Sequence, residues 1–255
     1  METKQCEEFL EDVLDIARQL MQSGADAQRA EDTIRRICSA YGFVSCEAYV
    51  ISSLIVVTIK DGTGRHYTQS VRIRSTGTDL GRLEELNAYS RKICAETPDV
   101  AAITKDLTSY KKPPSNMVLK CAGYMLAAGG FAVFFGGSML DGLAAALTAI
   151  LIFFMDYNFK LRNINNVVYT FVASFLSGCI AWLLYAAGLG NSLDKIMIGD
   201  IMLFIPGLIV VNSVKELFNR DIMTGLYKLV EAALVTVSIA GGFGLSHIVM
   251  GGVGL

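Results

Sequence analysis

The sequence predicts an α-helical integral membrane protein with five spans and an N-terminal soluble α+β domain. The first observation is the charge distribution, because residues 1–116 carry 15 Lys+Arg and 17 Asp+Glu, whereas residues 117–255 carry 7 and 7. The mean hydropathy of the whole chain is +0.45, so the second part must be strongly apolar. The predicted division is a cytosolic domain over 1–112, a linker over 113–116 and a transmembrane domain over 117–255.

The second observation is a change of hydrophobic period within the first domain. Glu7–Gln22 carries one apolar stripe at helical spacing, and Asp26 can cap a second helix. Asp79 can cap a third helix, and a shorter fourth follows. Between them, period-two segments around the turn 61–64 predict antiparallel strands over 46–52, 54–60 and 65–74. The predicted order is therefore helix-helix, small antiparallel sheet, helix-helix.

The third observation is a series of apolar segments, each near the ~20 residues that one helical crossing of a bilayer needs. The five predicted spans are Met117–Gly136, Met139–Asp156, Asn166–Gly188, Ile196–Phe218 and Gly225–Met250. Small residues, including Ser174 with Gly178 and Gly241 with Gly242, predict close packing of helices in a tight bundle or at a subunit interface.

Positive charges predict the orientation, since Lys and Arg favour the cytoplasmic ends of spans. Only Lys195 falls at the opposite ends, which places the first domain in the cytosol and residues 251–255 outside. The N-terminus lacks an apolar stretch, so no cleavable signal peptide is expected. The eight charges at the cytoplasmic ends are Lys111, Lys112, Lys120, Lys160, Arg162, Lys215, Arg220 and Lys228.

Other function classes find little support. The net charge is −2 and no basic stripe appears, which argues against nucleic acid as a partner. The six cysteines show no metal-ligand spacing, and His66 and His247 lie far apart, so no metal or cofactor is expected. No nucleophile–base pair or phosphate loop suggests an enzyme. Arg72 and Arg74 share a strand face with His66 and could bind an anion, although a solvated face is the simpler interpretation.

The fourth and fifth spans carry a set of residues that resembles the threonine/serine exporter family. These are Ile198–Gly207, Asn212-Ser213, Asp221, Thr224-Gly225 and Glu231-Ala232. Nearly the whole chain fits, and its size resembles the YjjP-type subunit more than the ten-span fused exporter. The resemblance implies the plasma (inner) membrane and export of threonine, serine or a dicarboxylate such as succinate. It also implies a smaller five-span partner subunit, or self-assembly into a homo-oligomer.

The candidate substrate-binding or gating residues surround the Pro-Gly break in the fourth span. They are Asp200, Pro206, Gly207, Asn212, Asp221 and Glu231. Irregular backbone at membrane depth survives where it packs in protein or lines a cavity, and intramembrane carboxylates commonly mark solute pathways. The simpler interpretation places Asp200 near the outer surface and pairs Glu231 with Lys228. Asp141 is interpreted as an outer-surface residue.

Two functions remain open at this point. The first is a subunit of an exporter for small polar metabolites, with the lipid bilayer as its environment. The alternative is a membrane-anchored regulatory or scaffold protein whose cytosolic domain does the binding.

Overall fold

The computed structural model describes residues 3–74, 77–109, 116–160 and 165–252. The chain forms two compact units. The first unit comprises residues 1–112 and 212–227, and the second comprises residues 113–211 and 228–255. Several positions used in the predictions lie outside the described residues, namely Lys111, Lys112, linker residues 113–115, Arg162 and the last residues, 253–255.

The first unit has the predicted order of elements. A three-stranded antiparallel sheet, in the order β1-β2-β3, lies in the chain between two pairs of helices. The elements are α1 (Thr3–Gln22), α2 (Ala27–Ala40), β1 (Ser45–Ile51), β2 (Leu54–Lys60), β3 (His66–Arg72), α3 (Leu80–Glu96) and α4 (Val100–Ser109).

Local side-chain chemistry sets these boundaries. The Asp26 carboxylate accepts a hydrogen bond from the Arg29 N–H at 2.8 Å and so caps α2. Asp79 caps α3 in the same way, through the Arg82 N–H at 3.1 Å. In the β2–β3 turn, Asp61 accepts from the Thr63 and Arg65 amides, and Gly64 takes a positive φ of 87°. The predicted caps and hairpin are confirmed.

The core of the first unit is formed by one face of the sheet together with α1 to α4. Burial of these apolar side chains supplies the main driving force for this unit. The largest fully buried side chains include Phe9, Leu20, Ile34, Ile55, Ile59, Leu86 and Ile93.

The remaining helices are long and apolar. They are α5 (Met117–Phe134), α6 (Met139–Lys160), α7 (Asn166–Ala186), α8 (Leu193–Ile201), α9 (Gly207–Phe218) and α10 (Ile222–Gly252). Within the described ranges, four helices are long and apolar enough to cross a membrane. These are α5, α6 up to Asn158, α7 and α10.

The predicted fourth span is divided into two short helices. α8 has 9 residues and α9 has 12, and neither alone reaches the ~20 residues of a full crossing. The sequence interpretation assigns residues 212–227 to the membrane domain, but in the structure they belong to the first unit. Lys215 and Glu216 explain the difference, because both side chains hydrogen bond to the beginning of α2.

Small residues let the helices of the second unit approach closely, as predicted. A Cβ atom at Gly199 would lie 2.5 Å from the Ala128 carbonyl oxygen of α5. A Cβ atom at Gly242 would lie 2.6 Å from the Phe171 carbonyl oxygen of α7. Only a glycine permits contact of this kind between two helix backbones.

Gly199→Ala is therefore expected to destabilise the second unit. The added methyl group would meet backbone atoms that cannot move aside, and such overpacking typically costs about 1–3 kcal/mol. Gly130→Ala in α5 is the matched control, because a Cβ atom there has open space. Thermal unfolding in detergent should show a lower midpoint for Gly199→Ala and none of this loss for Gly130→Ala. Equal midpoints would contradict this account of the packing.

Candidate functional site: a broken helix and a buried carboxylate

The helix break lies between Ile201, where α8 ends, and Gly207, where α9 begins. The amides of Leu203 and Phe204 donate to carbonyls three residues back rather than four. Pro206 has no N–H to donate, and the Gly207 amide donates to the Ile205 carbonyl at 2.8 Å. The helical hydrogen-bond ladder therefore stops here and restarts with the Val210 amide, which donates to the Pro206 carbonyl.

The break leaves amides free at the beginning of α9. The amides of Leu208 and Ile209 donate to no backbone carbonyl in the part of the chain that the structure describes. N–H groups at a helix N-terminus carry partial positive charge and suit an anionic group. Hydrogen-bond donors are thus available where α9 begins.

The face of the break is open. Ile205 is 46% exposed and Leu208 is 51% exposed, and a Cβ atom at Gly207 would meet nothing within 4 Å. In contact with lipid, such irregular backbone would lack hydrogen-bonding partners. This surface therefore requires protein or water against it.

Asp200 lies in the last turn of α8, directly before the break. Its exposure is 0%, and neither of its carboxylate oxygens has a hydrogen-bond partner among the described residues. Thr148 of α6 is the polar side chain that interacts with it, but the Thr148 hydroxyl donates to the Ala144 carbonyl at 3.2 Å. Asp200 is therefore an inner residue of the bundle.

Closely packed apolar helices surround Asp200. The neighbouring Gly199 contacts α5 directly, as described above. On the other side, α10 packs against the end of α8, where the rings of Phe204 and Phe243 lie 6.3 Å apart. An ionised carboxylate in such surroundings costs several kcal/mol unless it is paired, hydrated or protonated.

The other three candidate residues have different surroundings. Glu231 lies in α10 of the second unit, half-buried, and the charge of Lys228 acts on it. Asn212 and Asp221 belong to the first unit. Asp221 has a structural role, because its carboxylate accepts from the Thr224 amide at 3.3 Å and caps α10. Asp200, Pro206 and Gly207 thus remain together at the break, and no hydrogen bond or ion pair among the described residues joins Asp200 to Glu231.

Asp141 is a buried residue that sequence reasoning misplaces. It is 1% exposed, not a surface residue. One carboxylate oxygen accepts from the amide and the hydroxyl of Ser138, at 2.6 and 2.7 Å. The other accepts from the amides of Asn191 and Ser192, at 2.6 and 2.8 Å. Asp141 therefore joins the α5–α6 turn to the loop before α8, and all of its strong acceptor positions are used.

A second polar cluster lies between α5, α6 and α7. The Tyr124 hydroxyl donates to the Asp156 carboxylate at 2.8 Å, and Tyr169 hydrogen bonds with the same carboxylate. Asp156 is interpreted from sequence as a gating or solvated residue. This cluster cannot be predicted from sequence spacing, because its three residues lie on three separate helices.

The end of α9 is anchored within the first unit. Lys215 Nζ donates to Asp26 Oδ2 at 2.7 Å, and Glu216 Oε1 accepts from the Ala27 amide at 3.3 Å. Burial raises the pKa of Asp26, but the hydrogen bonds from Lys215 and from the Arg29 amide outweigh burial and hold this pKa below its usual value. Within the described residues, no group of three or more His, Cys, Asp or Glu side chains could hold a metal ion.

Comparison with known proteins decides the family. The family described as "Putative threonine/serine exporter" matches residues 12–250. The chain belongs to the threonine/serine exporter family. It is accordingly a multi-pass membrane protein. Its family is one of transporters and not of enzymes.

Three relatives illustrate the range of the exporter family. The "Threonine/serine exporter" of Corynebacterium glutamicum is 24% identical over 234 residues, which are 89% of this chain and 48% of that protein. The "Probable threonine/serine exporter" of Mycobacterium tuberculosis is 25% identical over 91% of this chain and 44% of its own length. The "Probable succinate transporter subunit YjjP" of Klebsiella aerogenes is 24% identical over 226 residues, which are 86% of this chain and 85% of that protein.

The chain thus spans about half the length of the first two relatives and most of the third. No solved structure matches.

The Asp26–Lys215 pair predicts a dependence of stability on pH. Because the pKa of Asp26 is lowered on folding, its stabilising effect is present above the unfolded value of ~3.9 and is lost as the pH falls through the lower, folded value. Asp26→Asn retains a capping side chain but removes the charge. It should cost about 1 kcal/mol or less at pH 7, since Lys215 is half exposed.

Thermal unfolding of both proteins at pH 7 and pH 3 tests this prediction. The difference between wild type and Asp26→Asn should shrink at pH 3. Glu84→Gln, at an exposed position of α3, should behave as the wild type at both pH values. A difference between wild type and Asp26→Asn that is the same at both pH values would contradict the assignment.

Proposed function

We propose that this chain is a subunit of a membrane exporter for small polar metabolites, and that threonine and serine are its best candidate substrates. The observation that carries the proposal is the position of Asp200, which is buried next to a broken helix without a hydrogen-bonding partner among the described residues. Family membership supports export as the activity.

The chemistry of the break favours an amino acid as the solute. The Asp200 carboxylate suits an ammonium group, and the free amides of Leu208 and Ile209 suit a carboxylate. Threonine and serine carry both groups. Succinate has two carboxylates and no cation, so it would use the amides but leave Asp200 unpaired. Succinate, which appears in the name of the Klebsiella aerogenes relative, is therefore the less favoured candidate substrate.

The closed surroundings of Asp200 suggest that this conformation does not admit the solute. Access requires α8 to move relative to α5, α6 or α10, which pack around it. Such movement of helices around a fixed central site is common in secondary transporters. In this scheme Glu231 lies along the pathway and carries protons or contacts the solute in another conformation.

We propose five spans, in which α8 and α9 together form the fourth. Discontinuous helices of this kind are typical of transporter binding sites. The excess of Lys and Arg on one side supports a cytosolic location for residues 1–112 and an outer location for the C-terminus.

A partner subunit is also proposed. The open face at Pro206-Gly207 needs protein or water against it, and protein is favoured because the Klebsiella aerogenes relative is named a subunit. A smaller five-span protein or a second copy of this chain would complete the walls of the site.

Cells of the natural host test this proposal, since they supply any partner. A strain without the protein should accumulate threonine or serine, and the wild-type gene should reverse this. Pro206→Ala and Gly207→Ala should insert normally but lower efflux about tenfold or more, which corresponds to ~1.4 kcal/mol or more of lost transition-state stabilisation.

Gly123→Ala is the matched control, because a Cβ atom at Gly123 also meets open space within a membrane helix. It should export as the wild type does. Normal efflux by both break variants would show that the broken helix is not the site, and unchanged threonine, serine and succinate levels in the deletion strain would reject the export function.

A further inference from the structure

An open cleft in the first unit lies away from the broken helix. Its volume is about 960 Å³, which falls within the range of small-molecule sites. One wall is a face of α2 and the other is a face of α3, and Lys215 of α9 closes one end. Its lining includes Arg29, Arg36, Asn87, Ser90, Arg91 and Lys215.

Positive charge is in excess in this cleft. Its two carboxylates already have partners, since Asp26 pairs with Lys215 at 2.7 Å and Asp32 lies 3.9 Å from an Arg35 nitrogen. The three remaining cations are Arg29, Arg36 and Arg91. None of them forms a salt bridge with any residue that the structure describes, although the charge of Arg29 also acts on Asp26. The cleft therefore presents three guanidinium groups without an ion-pair partner among the described residues.

The spacing of the arginines suits a ligand with more than one anionic group. Arg29 and Arg36 are seven residues apart on α2, which places them on one face and about 10 Å apart along the axis. Arg91 faces them from α3. Asn87, one helical turn before Arg91, and Ser90, one residue before it, line the same cleft. Guanidinium groups bind phosphate and carboxylate with two parallel hydrogen bonds. Like charges gathered in this way repel each other, and a bound anion would relieve that repulsion.

We propose that the α2–α3 cleft binds a soluble metabolite with at least two anionic groups, either phosphates or carboxylates. The ligand lies between Arg36 and Arg91, with Arg29 and Lys215 nearer the N-terminus of α2. Because Lys215 also holds Asp26, an anion bound next to it competes for the same ammonium group. Ligand binding in the cleft therefore changes the Lys215–Asp26 contact at the end of α9. This site is independent of the proposed export function.

Calorimetric titration of the purified full chain in detergent tests the site, at low salt and without divalent cations. The probes are ATP, pyrophosphate and citrate, and short-chain phosphatidylglycerol provides a lipid headgroup for comparison. At least one soluble probe should bind with a Kd below about 1 mM. The double variant Arg36→Gln/Arg91→Gln should weaken that binding about tenfold or more, since it removes two charged hydrogen-bond donors to the anion.

The matched control is Arg72→Gln/Arg74→Gln, which removes the same charge from exposed positions on and beside β3. It should keep the wild-type affinity, and an unchanged unfolding midpoint should show that both double variants are folded. The proposal is overturned if no soluble probe binds, if only the lipid binds, or if both double variants lose affinity equally.

Discussion

The second unit encloses a carboxylate among apolar helices, and neither of its oxygens has a hydrogen-bonding partner among the described residues. Asp200 is such a group, whereas Asp141 in the same unit is equally buried but accepts four hydrogen bonds. Folding gains nothing from an unpaired buried carboxylate. Asp141 is therefore explained by structure alone, whereas the burial of Asp200 fits the proposed site, in which a proton or the ammonium group of a solute would neutralise the carboxylate.

The backbone around Asp200 fits that explanation. Gly199 allows α8 to lie directly against α5, which shields the carboxylate from water. A few residues later Pro206 ends the hydrogen-bond ladder and leaves amides free at the beginning of α9. A negative group and a set of N–H donors thus flank one break. The face of the break at Gly207 is open, so the irregular backbone there needs protein or water against it.

Local signals made most of the fold predictable, and distant contacts account for what was missed. The carboxylates of Asp26, Asp79 and Asp61 accept hydrogen bonds from amides within four residues. Their roles can therefore be predicted from the sequence. The Pro206 break is equally local. Asp141, by contrast, takes two of its four hydrogen bonds from Ser138, three residues back, and the other two from amides 50 and 51 residues away. Glu216 accepts from an amide 189 residues away. No spacing rule reaches contacts so distant, and for the same reason the sequence does not reveal that residues 212–227 group with the first unit.

Efflux per inserted molecule, measured for Asp200→Asn and Asp141→Asn side by side, tests whether the buried Asp200 carboxylate acts in export. Asp200→Asn should insert and unfold like the wild type, yet lose about tenfold or more of its threonine and serine efflux. Asp141→Asn should unfold more easily, by about 2 kcal/mol or more, because at least one amide would lose its acceptor. Its inserted molecules should still export at the wild-type rate. Wild-type efflux by Asp200→Asn would contradict the account.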